Sequence, residues 1–180
     1  MSVGELLEEL FGRIPNEIHL AVDGLSPDEL ATVPAPGANS VGWLVWHLTR
    51  VQDDHVAELL GREQVWTAGP WPERFGLERG TRDTGYGHSA AEVAAVRPES
   101  AQALIDYYVA VEARTGEFLA TVTEAELDRV VDNRWTPPVT LGVRLISARM
   151  TTSSTPAKPP TCAACSAADA RVETHRSGHH

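Results

Sequence analysis

Cysteine is nearly absent from this sequence, which limits what can hold the fold together. The two cysteines, Cys162 and Cys165, lie close together near one end of the chain. A disulfide framework of the kind that holds small secreted domains together is therefore excluded for the rest of the sequence. The stability of the folded chain therefore has to come from the packing of its side chains.

Long apolar runs and positive charge are also scarce. No stretch has enough consecutive apolar residues to cross a bilayer, and the start, Met1 to Glu5, lacks both parts of a signal peptide. We therefore expect a cytoplasmic protein. The formal net charge is -10 and Lys158 is the only lysine, so the average surface repels phosphate and anionic lipid. Neither nucleic acid nor a membrane is expected as a general partner.

Apolar residues at helical spacing are abundant in most of the chain. A length of 180 residues suits one domain with a core of its own. The predicted long helices cover residues 3–25, 41–60 and 100–122, with a fourth that begins near residue 140. The expected fold class is all-α, a four-helix bundle over residues 1–150 with long crossover connections.

Local signals predict where two of these helices bend or end. Pro15 is expected to kink the first helix. Asn39 or Ser40 is expected to cap the start of the second, and Gly61 to close its end.

The fourth helix has an apolar run that stops abruptly. After Met150 the sequence continues as hydroxyl residues and prolines, without helical periodicity or enough apolar mass to pack. We therefore predict that the last helix is truncated, that the bundle exposes part of its core, and that residues 151–180 form a disordered tail.

His47 is a candidate metal ligand. It shares a helical face with Leu44, Val51 and Asp54, so its ring should point toward the bundle interior. A core histidine bonded to a backbone carbonyl is the alternative. His55 lies two turns further on, roughly 12 Å along the axis, which is too far to share an ion with His47. A second-shell or surface role is expected for His55.

The combination of motifs in this sequence resembles the actinobacterial branch of the DinB superfamily. The motifs are Pro36-Gly37-Ala38-Asn39-Ser40, His47-Leu48, Asp53-Asp54-His55, Thr84-Gly85-Tyr86-Gly87-His88 and Arg144-Leu145-Ile146-Ser147. The resemblance covers nearly all of residues 1–147, and mycothiol-dependent maleylpyruvate isomerases and related thiol transferases are similar.

The resemblance implies a metal-dependent enzyme. In that superfamily a divalent metal is held by a histidine of the second helix and by two ligands one turn apart on the last helix. His47 matches the histidine of the second helix. Zinc or nickel is the expected metal. The implied activity is a transferase or isomerase that joins a low-molecular-weight thiol such as mycothiol to an electrophilic substrate. The cation would keep that thiol deprotonated. His88 and Arg144 could line a pocket at the metal end and are candidates for substrate binding, with a helix-surface position or a buried ion pair as the alternative for Arg144.

The sequence departs from the family pattern in the last helix. Thr151 and Thr155 occupy the two ligand positions, and hydroxyls are poor ligands for such an ion. If one base were lost around Ser147 to Arg149, the neighbouring frame would encode Asp directly after Met150. The codons that follow allow an acid-x-x-x-His turn and a His-x-Gly-Gln motif at those positions. The tail is therefore interpreted as out of frame.

Other functions remain open. A catalytically silent bundle that binds a small molecule or a protein partner is the main alternative, and a homodimer also remains open. Cys162 and Cys165 with the histidines near the end suggest a zinc knuckle, but the residues between them cannot build its small core. The acidic net charge argues against a nucleic-acid-binding knuckle.

Overall fold

The expected all-α class is confirmed by the computed structural model, which describes residues 1–78 and 83–150, apart from the side chain of Met150. The helices are α1 (Val3–Phe11), α2 (Ile14–Val22), α3 (Pro27–Ala31), α4 (Val41–Leu60), α5 (Val65–Ala68), α6 (Trp71–Arg74), α7 (Ala90–Ala95), α8 (Ala101–Leu119) and α9 (Leu141–Met150). None of the helices in these ranges is long and apolar enough to cross a membrane.

The first predicted helix is two helices in the structure. α1 ends at Gly12, whose N–H bonds to the carbonyl of Glu8, and α2 begins at Ile14 with Pro15 in its first turn. Proline has no N–H to donate to the preceding turn, so it can begin a helix but does not continue one. The kink expected at Pro15 is therefore a complete break just before it.

α4 is the central helix, and its predicted bounds are confirmed. The Ser40 hydroxyl accepts the backbone N–H of Trp43 at 3.2 Å, and Gly61 ends the helix with a φ of 62°, which favours glycine. α4 packs against α8, α2, α3 and α9. An aromatic cluster of the core lies between α4, α8 and the connection after α4, and it includes Trp46, Trp66, Phe75 and Tyr107.

α9 runs back along α4. Near its start, Arg144 contacts Glu58 close to the carboxyl end of α4, at 3.2 Å. Near its end, Arg149 contacts the carbonyl of Leu10 and the carboxylate of Glu17 on α2. The described part of α9 thus ends beside α2. The predicted disorder of residues 151–180 lies outside the described residues.

A small antiparallel hairpin between α8 and α9 was not predicted. Its strands are β1 (Val130–Asp132) and β2 (Val139–Thr140), with Val130 opposite Thr140 and Asp132 opposite Val139. Strands of two and three residues are too short to produce a recognisable alternation in the sequence. The hairpin brings Asp132 next to Arg144 at the start of α9.

Candidate functional site

His47 lies on α4 under a loop formed by residues 83–88. Its ring stacks on Trp43 with centroids 4.6 Å apart, and its Nδ1 is hydrogen-bonded to the carbonyl of Thr84. The side chain is half-buried, and its cover comes from this loop. Trp43 and Thr84 thus belong to its immediate surroundings, and the expected orientation of the ring toward the bundle interior stays a prediction.

The bond to Thr84 determines which nitrogen of His47 carries the proton. A carbonyl oxygen only accepts, so Nδ1 is the donor and Nε2 keeps its lone pair. Burial lowers the pKa of His47, and the nearby His88 lowers it further, against the opposing effect of the Thr84 carbonyl. The ring is therefore neutral at pH 7 with Nε2 able to bind a metal, and a bond from the other nitrogen to a carbonyl is common among metal-binding histidines.

Gly85 brings the loop into contact with α4. Its φ is 90°, in the left-handed region that favours glycine. A Cβ at this position would lie 2.9 Å from both His47 Nδ1 and Trp46 Cζ3. Backbone conformation and space thus both require glycine here.

His88 joins the same cluster, but both of its ring nitrogens are engaged. Trp43 Nε1 donates to His88 Nδ1 at 3.0 Å, and His88 Nε2 contacts the carboxylate of Asp83 at 2.6 Å. Although partial burial opposes it, hydrogen bonds from the Gly85 N–H and from His88 lower the pKa of Asp83. In this arrangement His88 fastens the loop to α4, and its predicted role in binding substrate stays a prediction.

A buried polar network below the loop was missed in the sequence. Arg50 is fully buried and donates to Asp53 (3.3 Å), Tyr107 (3.2 Å), Gln64 (2.8 Å) and the carbonyl of Asp83 (3.1 Å). Burial raises the pKa of Tyr107 well above its usual value, so its hydroxyl stays protonated and donates to Asp53. The signal for this network was present, because Trp46, Arg50 and Asp53 recur at the spacing of one helical face.

Asp53 also holds the beginning of α5. Its two carboxylate oxygens accept the backbone N–H groups of Val65 and Trp66, each at 2.8 Å. These are the first two amides of α5, which lack partners within the helix. A side chain of α4 thus caps a helix that follows it in the chain.

Arg144 lies at the other end of α4, away from His47. It contacts Asp132 at 2.9 Å and Glu58 at 3.2 Å. Hydrogen bonds from Arg134, with a smaller contribution from the charge of Arg144, hold the pKa of Asp132 well below its usual range. The two predicted substrate-binding residues, His88 and Arg144, are therefore not brought together. Arg144 instead lines a polar cavity of about 830 Å³. Other side chains that line this cavity include Asp54, Glu58, Gln64 and Arg134.

His55 is close to Arg144 on the α4 face that meets α9. Burial lowers its pKa to about 4, and the positive charge of Arg144 adds to the effect while Glu58 opposes it. Its Nδ1 is buried and has no hydrogen-bond partner among the described residues. His55 does not approach the cluster around His47 and so shares no ligand position with it.

The sequence profile of the DinB superfamily matches residues 10–146. The chain belongs to the DinB superfamily. Among solved structures, a conserved protein of a locus from Enterococcus faecalis is 34% identical, with a TM-score of 0.76. That similarity covers 84% of this chain and 89% of the Enterococcus chain. None of the curated proteins compared with the chain matches it.

Within this DinB-superfamily chain, the described residues do not contain a complete metal centre. No group of three or more histidine, cysteine, aspartate or glutamate side chains in residues 1–78 and 83–150 is arranged to hold an ion. His47 offers one donor, and the positions at which the family resemblance implies the other two, Thr151 and Thr155, lie outside the described residues. The matched segment ends at residue 146, before both of them.

Proposed function

We propose that this chain is a DinB-superfamily bundle of the thiol transferase and isomerase type, which retains one metal ligand, His47, and lacks the other two as written. The carrying observation is the hydrogen bond from His47 Nδ1 to the Thr84 carbonyl, which leaves Nε2 free on a neutral ring. This is the state that a metal-binding histidine requires.

The donors in residues 1–78 and 83–150 do not fit a complete centre. A divalent cation held by three protein ligands would lower the pKa of a bound thiol such as mycothiol and prepare it to attack an electrophile. One histidine supplies no chelate, and threonine hydroxyls are poor ligands for zinc or nickel. We therefore assign no catalytic step to the chain as written.

The direction of α9 supports a site shared with the end of the last helix. α9 runs from Glu58 toward the amino-terminal half of α4, where His47 lies. If the helix continued past Met150, its next turn would approach the level of His47. The neighbouring reading frame would supply an acid and a histidine there, whereas the frame as written supplies Thr151 and Thr155.

The test compares the chain as written with a restored protein, encoded by a gene in which one base is inserted around codons 147–149 so that the neighbouring frame follows. After dialysis against buffer without metal, we expect the restored protein to retain about one zinc or nickel per chain and the chain as written to retain little. His47→Ala should remove the metal from the restored protein, and the exposed His19→Ala should not. Conjugation of mycothiol to a small electrophile should follow the metal content.

Two results would overturn the assignment. Stoichiometric metal that the chain as written retains after His47→Ala would point to the cysteines and histidines beyond residue 160. Equal metal content in the two reading frames would equally contradict a shared site on the last helix.

The polar cavity supports a second candidate, a bundle that binds a small molecule without catalysis. Its volume of about 830 Å³ lies within the usual range for ligand sites, and it is separate from His47. Arg144, held by Asp132 and Glu58, would be its fixed donor. Binding that is lost in Arg144→Gln and unchanged in His47→Ala would favour this candidate.

A further inference from the structure

Three side chains on one face of α4 bond to the loop of residues 83–88. Trp43, His47 and Arg50 follow one another at intervals of four and three residues, which places them in one row along the helix. The loop residues to which they bond are, in the same order, His88, Thr84 and Asp83. The loop therefore lies along this face of α4 and runs in the direction opposite to the helix.

The bond from Arg50 acts on the peptide group that faces His47. The carbonyl of Thr84 and the N–H of Gly85 belong to one planar peptide group, so the direction of one fixes the direction of the other. The Gly85 N–H donates to the carboxylate of Asp83 at 2.8 Å, and the Thr84 carbonyl accepts the proton of His47 Nδ1. Asp83 thus orients this peptide group, and Arg50 holds Asp83 itself by its carbonyl, at 3.1 Å.

The guanidinium of Arg50 is held in place independently of the loop. It is fully buried and donates to Asp53, Tyr107 and Gln64 through its two terminal nitrogens. Its third nitrogen, Nε, is the donor to the loop. A guanidinium can bond in several fixed directions at once, whereas the single ammonium group of a lysine cannot reproduce this pattern. Arg50 therefore transmits the position of α5 and α8 to the loop.

We propose that Arg50 is a positioning residue for His47. Through Asp83 it keeps the Thr84 carbonyl where that carbonyl holds the proton of His47 on Nδ1 and leaves Nε2 open. Because the bond at one ring nitrogen decides which nitrogen carries the proton, loss of this contact should move the proton toward Nε2. The inference rests on the proposed function for the use of Nε2 as a metal donor, but the tautomer is a property of the chain without metal.

The test measures the tautomer in the full chain as written, isotope-labelled on nitrogen, in buffer with EDTA at about pH 8, where the ring is neutral. The chemical shifts of the two ring nitrogens show which one carries the proton, and His47→Ala assigns their signals. Arg50→Lys keeps the buried positive charge but has no donor at the place of Nε. In this variant the ratio of the Nδ1–H to the Nε2–H form should fall roughly fivefold or more, as expected for the loss of one hydrogen bond.

Tyr107→Phe is the matched control. It removes a hydrogen-bond partner of Arg50 and Asp53 from the same buried network but leaves the bond to the loop. Urea denaturation should show a loss of stability, whereas the tautomer of His47 should stay unchanged. If Arg50→Lys does not fold, the double variant Arg50→Met with Asp53→Asn replaces it, because removing both buried charges together leaves neither without compensation.

Two outcomes in the chain as written would overturn the role of Arg50. One is an unchanged tautomer ratio in Arg50→Lys or in the double variant. The other is an equal shift in Tyr107→Phe, which would mean that any weakening of the network disturbs the loop.

Zinc binding by the restored protein separates this inference from the proposed function. There Arg50→Lys should weaken zinc binding about tenfold to a hundredfold, as expected for a residue that orients a ligand, and Tyr107→Phe should not. An unchanged zinc affinity in Arg50→Lys would also overturn the role. A restored protein that holds no zinc, together with the expected tautomer shift in the chain as written, would support the role of Arg50 and count against the proposed function alone.

Discussion

The side chains in the two halves of α4 find their bonding and packing partners in different ways. In the half that begins at Arg50, the buried charges are paired by the described chain itself, through Asp53 and Tyr107 and through the contact of Arg144 with Glu58. In the half that begins at Val41, apolar side chains line a groove, and a loop supplies the cover of His47.

The half that begins at Arg50 contributes mainly to stability, and the half that begins at Val41 carries the candidate metal ligand. In the Arg50 half, the Arg50–Asp53 pair is fully buried and hydrogen-bonded, so removing one partner leaves a charge without compensation. The His47 half takes the cover of its histidine from the loop of residues 83–88 and carries an apolar groove beside α2. Regions of low local stability are where ligand-binding segments usually lie.

The largest expected effect is loss of the paired charges. Asp53→Ala leaves the Arg50 guanidinium buried with less compensation and removes the acceptor of two α5 amides. We expect the free energy of unfolding to fall by about 3–5 kcal/mol. Urea denaturation measures it, with the exposed Asp128→Ala as a control that should change stability by less than about 0.5 kcal/mol. Equal effects of the two variants would show that the network is not a source of stability.

A smaller effect is expected where the loop meets α4. Gly85→Ala combines a left-handed backbone with a Cβ 2.9 Å from His47, and should destabilise the protein by about 2–4 kcal/mol. Gly87→Ala is the matched control, since its φ is 76° but nothing lies within 4 Å of the added carbon. It should lose only about 1 kcal/mol. Thermal unfolding of both variants gives the difference, and its absence would mean that the loop does not rest on His47.

His55 should make the Arg144 end sensitive to acid. Its pKa is near 4 in the folded chain and near 6.5 when unfolded, so between these values the unfolded chain binds the extra proton. Stability is therefore fully present above pH 6.5 and falls as the pH drops toward 4, by on the order of 2 kcal/mol. Arg144 and Glu58 are the charged groups that act on the ring.

Urea denaturation at pH 7 and pH 5 tests this dependence. His55→Gln should reduce the loss of stability between the two values, because the ring that resists protonation is gone. An unchanged loss would assign the acid sensitivity to the carboxylates instead.

The smallest effect is expected from removal of the tail. A chain that ends at Met150 should melt within about 2 °C of the chain as written, because the residues beyond it contain few apolar side chains. Differential scanning calorimetry measures the shift. A large decrease would mean that the tail covers the groove, and the contrast between the two halves of α4 would then disappear.

Local signals predicted the long helices α4 and α8 well, whereas the short helices α3, α5 and α6 were missed. Contacts between distant residues determined the rest. Ser40 and Gly61 fixed α4 at both ends, because capping acts within a few residues. The partners of the polar groups could not be predicted in this way. His88 meets Trp43 across 45 positions and Arg50 meets Tyr107 across 57, and no local periodicity encodes such pairs.

The membership of the family and the candidate ligand His47 came from motifs, which a sequence shows directly. The loop that covers His47 did not, because its position depends on the φ of Gly85 and on Asp83, whose carboxylate and carbonyl bond to His88 and Arg50. The hairpin under Arg144 was missed because its strands are very short.

The capping of α5 by Asp53 has a consequence for the order of structure formation. A helix of four residues has no stability of its own, and its first amides are bonded to a carboxylate that Arg50 and Tyr107 hold in place. α5 can therefore form only after α4 and α8 have come together. In hydrogen exchange, the amides of Val65 and Trp66 should be released with the opening of the whole bundle and not with the fraying of a surface turn.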